Sequence, residues 1–306
     1  MLINVILAVG LAILMILVYF PGRHARHYSY IRVENVLDEI LWAAPVQSKL
    51  KNCSYEDIIV KNVDVDISSI YGTRYFEIPL KGGEYKPKNC TPLIKTALIV
   101  PYRNRATHLK VFLNYMHHFL QNQRIHYQIF IVDQNDTLPF NRAKMLNYGA
   151  KIAIEMGYPC LILHDVDLIP INTGNIYGCS KTPRHMSSSL DTFRYNLPYL
   201  TLFGGAVAIL SSQFKQVNGM SNKFYGWGAE DDDFYRRLIT NGITPYRFSP
   251  EISRYTMLPH VKEIASSERF TVLAQGSEQH KVDGLSSLSD ESVIKQEDLY
   301  THIFAS

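Results

Sequence analysis

The sequence predicts an α/β domain built on a mostly parallel central sheet, preceded by a single apolar membrane-spanning segment. Three features lead to that expectation. Short apolar runs alternate with amphipathic stretches from Thr96 to Leu163, charged residues fall just past the carboxyl ends of those runs, and residues 2–20 are apolar apart from Asn4. Strand–helix–strand alternation of this kind gives right-handed parallel units. Ligands of such sheets collect in the crevice beyond the strand ends.

From Leu2 to Phe20 the chain could cross the hydrocarbon core as a helix of roughly 28 Å. A cleaved signal peptide is the competing explanation, but its apolar region usually covers about 7–15 residues and ends at small side chains. Here the run ends Val18-Tyr19-Phe20-Pro21, so an uncleaved anchor over residues 1–20 is expected, then a short polar stem over 21–52 and a lumenal catalytic domain over 53–306. A span this short suits the thin membranes of the early secretory pathway. Arg23, Arg26 and Arg32 follow the span and no basic residue precedes it, which opposes a lumenal C-terminus by the positive-inside rule. Long downstream domains translocate regardless of such charges, and the cysteines and sequons favour the lumen.

Cys53, Cys90, Cys160 and Cys179 contain no C-x-x-C pair, which argues against a zinc site. An even count behind an anchor suggests two disulfides, with three connectivities open. Sequential pairs would contribute about 3–4 kcal/mol each in the chain-entropy model. Asn52-Cys-Ser54, Asn89-Cys-Thr91 and Asn135-Asp-Thr137 are glycosylation acceptors by pattern. The net charge of +3, without a long basic run, excludes a nucleic-acid partner.

Within the domain, Thr96–Pro101 has the length of a buried strand and is followed by Tyr102-Arg-Asn-Arg105. Leu109, Phe112, Leu113, Met116 and Leu120 recur at helical spacing, Tyr127–Val132 is a second strand, and Phe140–Ile154 a second helix with Ala143, Leu146 and Ala150 on one side. Cys160–Leu163 is a third strand that exits into His164-Asp165-Val166-Asp167. Two carboxylates at alternate positions on a fraying strand can both reach one metal–diphosphate, and such ligands suit Mg²⁺ or Mn²⁺. A lone D-x-D is more often a solvated loop; its place after a buried strand favours the metal site.

Further along, Gly204-Gly205 before the apolar Ala206–Leu210 permits close approach of a ligand, a bulge being the plain alternative. Phe224–Leu238 sets Trp227 between two glycines and then places four acids, Glu230–Asp233, ahead of a helical run whose Phe234, Leu238 and Ile239 can face a core. Acids at a helix start complement its dipole by about 0.3–1 kcal/mol each, which accounts for one or two of them, not four. Carboxylates that accept hydrogen bonds from hydroxyls, beside an indole that stacks on a sugar face, account for the rest. Met257-Leu-Pro-His260 offers a thioether and an imidazole, though alone both residues would be read as packing.

The ordered set Pro101-Tyr-Arg-Asn-Arg105, Phe140-Asn-Arg-Ala-Lys144, Asp165-Val-Asp-Leu-Ile-Pro170, Phe203-Gly-Gly205, Gly226–Asp233, Met257–His260 and Asp283-Gly-Leu285 resembles the β-1,4-galactosyltransferase family of Golgi enzymes from about Cys53 to near the C-terminus. That resemblance implies a GT-A fold, the sequential disulfides Cys53–Cys90 and Cys160–Cys179, and inverting transfer from a UDP-sugar to the 4-hydroxyl of a terminal N-acetylglucosamine. It implies that Pro101, Tyr102, Arg103, Arg105, Phe140, Arg142, Asp165, Val166, Asp167 and Trp227 hold the donor, and that Asp167, Met257 and His260 bind Mn²⁺. Asp231 would be the base, with Glu230 and Asp232 orienting acceptor hydroxyls. Phe193, Tyr199, Phe224, Gly228, Arg269, Phe270 and Leu273 would complete the acceptor site.

The chain departs from the family pattern at three places. Tyr225 stands for the usual second loop aromatic, Thr192 for a lysine near the donor phosphate, and Leu202 for a tyrosine found in vertebrate galactosyl enzymes. That tyrosine excludes an acetamido group, and relatives that transfer N-acetylgalactosamine carry an aliphatic residue there. Leu202 therefore implies UDP-GalNAc as donor, with UDP-galactose the alternative, and a GlcNAc-terminated glycoprotein or glycolipid as acceptor. A catalytically silent sugar-binding relative would need a lost base or metal ligand, and Asp167, Asp231, Met257 and His260 are all present. A helper membrane protein is neither required nor excluded by these motifs.

Overall fold

The computed structural model describes residues 2–19, 28–41, 49–261, 263–289 and 291–306. Its first elements are the helices α1 (Leu2–Tyr19), α2 (Val36–Glu39) and α3 (Glu56–Lys61). The domain then runs β1 (Glu84–Tyr85), β2 (Lys95–Tyr102), α4 (Ala106–Asn122), β3 (His126–Gln134), α5 (Arg142–Glu155), β4 (Cys160–His164) and β5 (Leu168–Pro170). After β6 (Arg184–His185), β7 (Ser189–Leu190) and β8 (Ala206–Leu210) come α6 (Ser211–Gln216), α7 (Glu230–Thr240), β9 (Arg254–Met257) and α8 (Arg269–Gln279). The hairpin β10 (Ser292–Gln296) and β11 (Thr301–Ala305) closes the chain.

The main sheet has the order β10-β11-β3-β2-β4-β8-β6, with β1 on β3. Its centre is parallel as expected, β2 pairing with both β3 and β4, and β11 with β3. Outside that centre β4–β8, β8–β6, β10–β11 and β1–β3 are antiparallel, so the sheet is mixed rather than mostly parallel. Only the two helix-linked units before β4 force a parallel crossover; β8 follows the short strands β5–β7 with no α-helix between, and β10–β11 is a hairpin. A smaller sheet, β5-β9-β7, stands beside it.

Each sheet face buries a core. On one face α4 contributes Phe112, Tyr115, Met116 and Phe119, all at most 5% exposed. On the other, α5 lies so close that a Cβ on Gly149 would sit 2.8 Å from Val132. This helix starts at Arg142, later than expected, because Asn141 caps it through a side-chain oxygen 2.9 Å from the Lys144 amide. In α7, Phe234 and Leu238 are buried one turn apart, whereas Ile239, expected beside them, turns outward. The disulfides are Cys53–Cys90 and Cys160–Cys179, and Asn52, Asn89 and Asn135 are exposed.

The expected membrane-spanning helix is not met in full. The exposed apolar α1 has 18 residues, about 27 Å at 1.5 Å per residue against a hydrocarbon core of about 30 Å. Among the described residues no helix is long and apolar enough to cross a membrane. Within the stretch expected as a stem, residues 21–27 and 42–48 lie outside the described residues. Tyr28–Leu41 instead folds onto the domain: Val36 and Ile40 are buried in the larger core, and the Ile31 amide donates to the Arg247 carbonyl at 2.8 Å.

Candidate active site

The strand ends and the start of α7 converge at one crest of the sheet. Arg142, in the first turn of α5, donates from Nε to Asp165 Oδ1 at 2.6 Å and from Nη2 to the Gly205 carbonyl at 3.3 Å. Its Nη1 lies 3.8 Å from Glu230 Oε1. One guanidinium thus joins the end of β4, the loop before β8 and the first turn of α7. Burial works against that cation, yet Asp165 and Glu230 raise its pKa further, so its charge is permanent. Arg103 stacks over Phe140 at 5.3 Å and donates to the Leu138 carbonyl at 2.6 Å, which folds the β2 exit against the α5 approach.

Opposite Arg142, the carboxylates outnumber the cations. Glu230 is pushed up to about 7, first by burial and then by Asp231, with Arg142 pulling the other way. Burial also raises Asp231, against the pull of Arg142 and of backbone hydrogen bonds. Asp232 rises to about 6 through burial and Asp231, while hydrogen bonds from Thr201 and Tyr199 oppose the rise. Gly204 makes room for this group: a Cβ there would stand 3.0 Å from Asp231 Oδ2. Asp233 belongs elsewhere. It is fully buried, accepting from Arg237 Nε at 2.8 Å and facing His280 Nε2 at 3.2 Å. Of the four consecutive acids, then, three face the crest and one anchors the helix.

The expected metal ligands are brought to one place by the small sheet. The Leu258 amide donates to the Asp167 carbonyl at 2.7 Å, Met257 pairs with Leu168 across β5–β9, and His260 Nε2 lies 3.1 Å from Asp167 Oδ2. Asp167 is raised by burial and by Asp165, with His260 and Arg105 opposing. Among the described residues no group of three His, Cys, Asp or Glu side chains is placed to hold a metal. A carboxylate and an imidazole in contact, beside an under-neutralised carboxylate pair, fit a cation that takes its remaining ligands from a bound diphosphate.

The surface expected to meet the acceptor is aromatic. Phe193, Tyr199, Trp227 and Phe270 are all more than two-fifths exposed. Arg269 lies 5.8 Å from the Trp227 ring and 4.6 Å from that of Phe270. Trp227 bridges to Ala265, and its carbonyl accepts from the Ser266 amide at 3.0 Å. Gly228, at φ 111°, would place a Cβ 2.9 Å from Arg269. Phe224 and Leu273, expected to touch the acceptor, are instead buried against Ala229. Leu202, expected at the donor, is half-buried on the segment that leads to Gly204.

Three positioning groups had no signal in the sequence. His108 binds the Pro259 carbonyl at 3.0 Å and packs edge-on to His260. Asp191 accepts from the Met257 amide at 3.2 Å. The buried His164 ring bonds the Asp165 carbonyl at 2.9 Å. His108 and Asp191 are single polar residues in ordinary contexts, meaningful only through contacts distant in sequence, whereas His164 bonds its own neighbour.

Residues 53–180 match the family model described as the N-terminal region of glycosyl transferase group 7, and 184–261 the one described as the N-terminal domain of galactosyltransferase. The chain is 38% identical over 225 residues to β-1,4-galactosyltransferase 6 of Rattus norvegicus, covering 72% of this chain and 59% of the relative. It is 40% identical over 227 residues to β-1,4-galactosyltransferase 1 of Mus musculus, covering 72% and 57%. The chain therefore spans a little over half the length of these relatives. The crystal structure of the catalytic domain of Drosophila β-1,4-galactosyltransferase 7 with xylobiose superposes with a TM-score of 0.56 at 27% identity, over 70% of this chain and 93% of that one. A mutant of the same protein in complex with manganese, UDP-Gal and xylobiose gives 0.55 at 26%.

Proposed function

The chain belongs to the β-1,4-galactosyltransferase family, and from that premise we propose that it transfers N-acetylgalactosamine from UDP-GalNAc, with inversion, to the 4-hydroxyl of a terminal GlcNAc. The observation that supports transfer most directly is the convergence of Asp231 with Arg142, Asp165 and Glu230 at the mouth of the sheet.

An acceptor hydroxyl is a poor nucleophile, and a carboxylate that takes its proton in the transition state contributes about 10²–10⁴-fold. Asp231 is that base; burial leaves it a stronger proton acceptor than an exposed aspartate. Glu230 and Asp232 hold acceptor hydroxyls. Arg103, Arg105 and Arg142 supply fixed positive charge where the diphosphate leaves. Asp167, Met257 and His260 would hold Mn²⁺, which would stabilise the charge developing on UDP. Trp227 would cover the donor and exclude water, the competing nucleophile. Golgi lumenal residence, with the apolar α1 as the attachment to the membrane, belongs to the same proposal and is supported by disulfides, which form in oxidising compartments.

The choice of donor rests on Leu202. An aliphatic side chain leaves space and apolar contact for an acetyl methyl, and a pocket change of this size shifts preference by about 1–3 kcal/mol. Galactose transfer is the second reading, favoured by the galactosyltransferase relatives and the UDP-Gal complex of the structural neighbour. Both UDP-sugars offered to one GlcNAc acceptor with Mn²⁺ decide between them. GalNAc preference that Leu202→Tyr reverses supports the proposal; galactose preference that Leu202→Tyr leaves unchanged overturns it.

A further inference from the structure

The segment that carries Leu202 is held from behind by one buried cation. Arg247 is 6% exposed, and its Nη2 donates to the carbonyls of Leu200 and Leu202, both at 2.9 Å. Its Nε donates to His185 Nδ1 at 3.3 Å. With Nδ1 accepting, the neutral His185 ring carries its proton on Nε2, and this ring bonds the Gly204 backbone. Burial and the neighbouring Arg247 keep it neutral. Carbonyls at three alternate positions, 200, 202 and 204, are therefore fixed by one Arg–His pair. The same segment ends against Asp231 at Gly204.

Arg247 itself is covered by the N-terminal stretch. The Tyr28 ring lies 5.2 Å from its guanidinium carbon, the Ile31 amide donates to its carbonyl at 2.8 Å, and the Ser249 amide donates back to Ile31 at 3.0 Å. Among the described residues Arg247 has no carboxylate partner, so carbonyl dipoles, the imidazole and the Tyr28 ring offset its lost hydration. A lysine is a point charge and cannot reproduce this fork.

We propose that Arg247, capped by Tyr28, is a positioning residue for donor selectivity, fixing the Leu200–Gly204 backbone so that Leu202 meets the donor's 2-substituent at a set distance. It follows that the stretch ahead of the catalytic domain takes part in choosing the sugar. This rests on Leu202 being the donor gate proposed above.

The test uses the full chain with Mn²⁺ and one GlcNAc acceptor, measuring kcat/KM for UDP-GalNAc and UDP-Gal, with UDP affinity as the control for an intact nucleotide site. Arg247→Lys is expected to bring the donor ratio about tenfold closer to unity, and Tyr28→Ala about threefold, small beside the ~10–200-fold available to a pocket contact. Tyr28→Phe, which keeps the ring, should leave the ratio at the wild-type value. In a Leu202→Tyr background the Arg247→Lys effect should vanish. Unchanged ratios in Arg247→Lys and Tyr28→Ala, with UDP affinity intact and Leu202→Tyr still shifting the ratio, would overturn the inference alone. A Leu202→Tyr variant with an unmoved ratio would overturn the donor gate and this inference together. If Arg247→Lys does not fold, the Tyr28 pair decides.

Discussion

Asp231 and Asp233 are two residues apart on the same helix turn, the first half-buried and the second fully buried, and they do opposite things. Asp233 is met by Arg237, His280 and, through Arg237, by Asp283, whose carboxylate accepts from the Ser221 hydroxyl at 2.5 Å and the Asn222 amide at 2.9 Å. That network fastens α7 to Ser221–Asn222 on one side and to His280 and Asp283 on the other. Asp231 shares a single guanidinium, Arg142, with Glu230 and Asp165. The difference lies in how many cations each acid meets. A carboxylate fully matched by partners holds the fold, and one left short of them is available to a substrate proton.

The largest effect should come from Asp231→Asn. Transfer at saturating donor is expected to fall by about 10²–10⁴-fold, with the unfolding midpoint and UDP affinity retained. Normal turnover by that variant would remove the base assignment. Asp233→Asn should do the reverse. Losing one partner of a buried pair costs about 3–5 kcal/mol, here toward the lower end because Asp283 still faces Arg237, and chemical denaturation reads it directly.

The pH profile sharpens the contrast. Glu230 and Asp232 sit at about 7 and about 6 in the folded chain, above their ordinary values. An acid raised by folding binds its proton more tightly in the native state, so it contributes stability that is fully present below the unfolded pKa, about 4.3 for Glu. That contribution is lost as pH rises through about 7. Activity, which needs the carboxylates ionised, should climb over the same interval. The thermal-midpoint difference between the wild type and Glu230→Gln should therefore shrink from pH 4.5 to 8 while the transfer rate climbs; taking the difference cancels the buried neutral rings of His117, His126 and His164, which stabilise both chains as pH rises. The smallest effect is that of Gly204→Ala. Its Cβ would press on Asp231 Oδ2, and a displaced base should lower kcat by about tenfold with little change in folding.

Much of this is legible in the sequence. The central βαβαβ run, the strand-end placement of Arg103, Asp165 and Asp167, and the helix opened by Glu230 follow from period and polarity, because neighbouring residues enforce both. The disulfide pairing came only through the family resemblance. The antiparallel partners of the sheet were not legible, since strands as short as Arg184–His185 carry no period.

The sequence by itself determined which residue types stand at the ends of buried strands, because hydrophobic burial and chain connectivity act locally. Only the tertiary structure decided the split between Asp231 and Asp233, the turning-out of Ile239, and the placing of Tyr28 and Arg247 behind Leu202. Each depends on contacts between residues far apart in the chain, and charge balance in a low-dielectric interior is set by those contacts rather than by sequence neighbours.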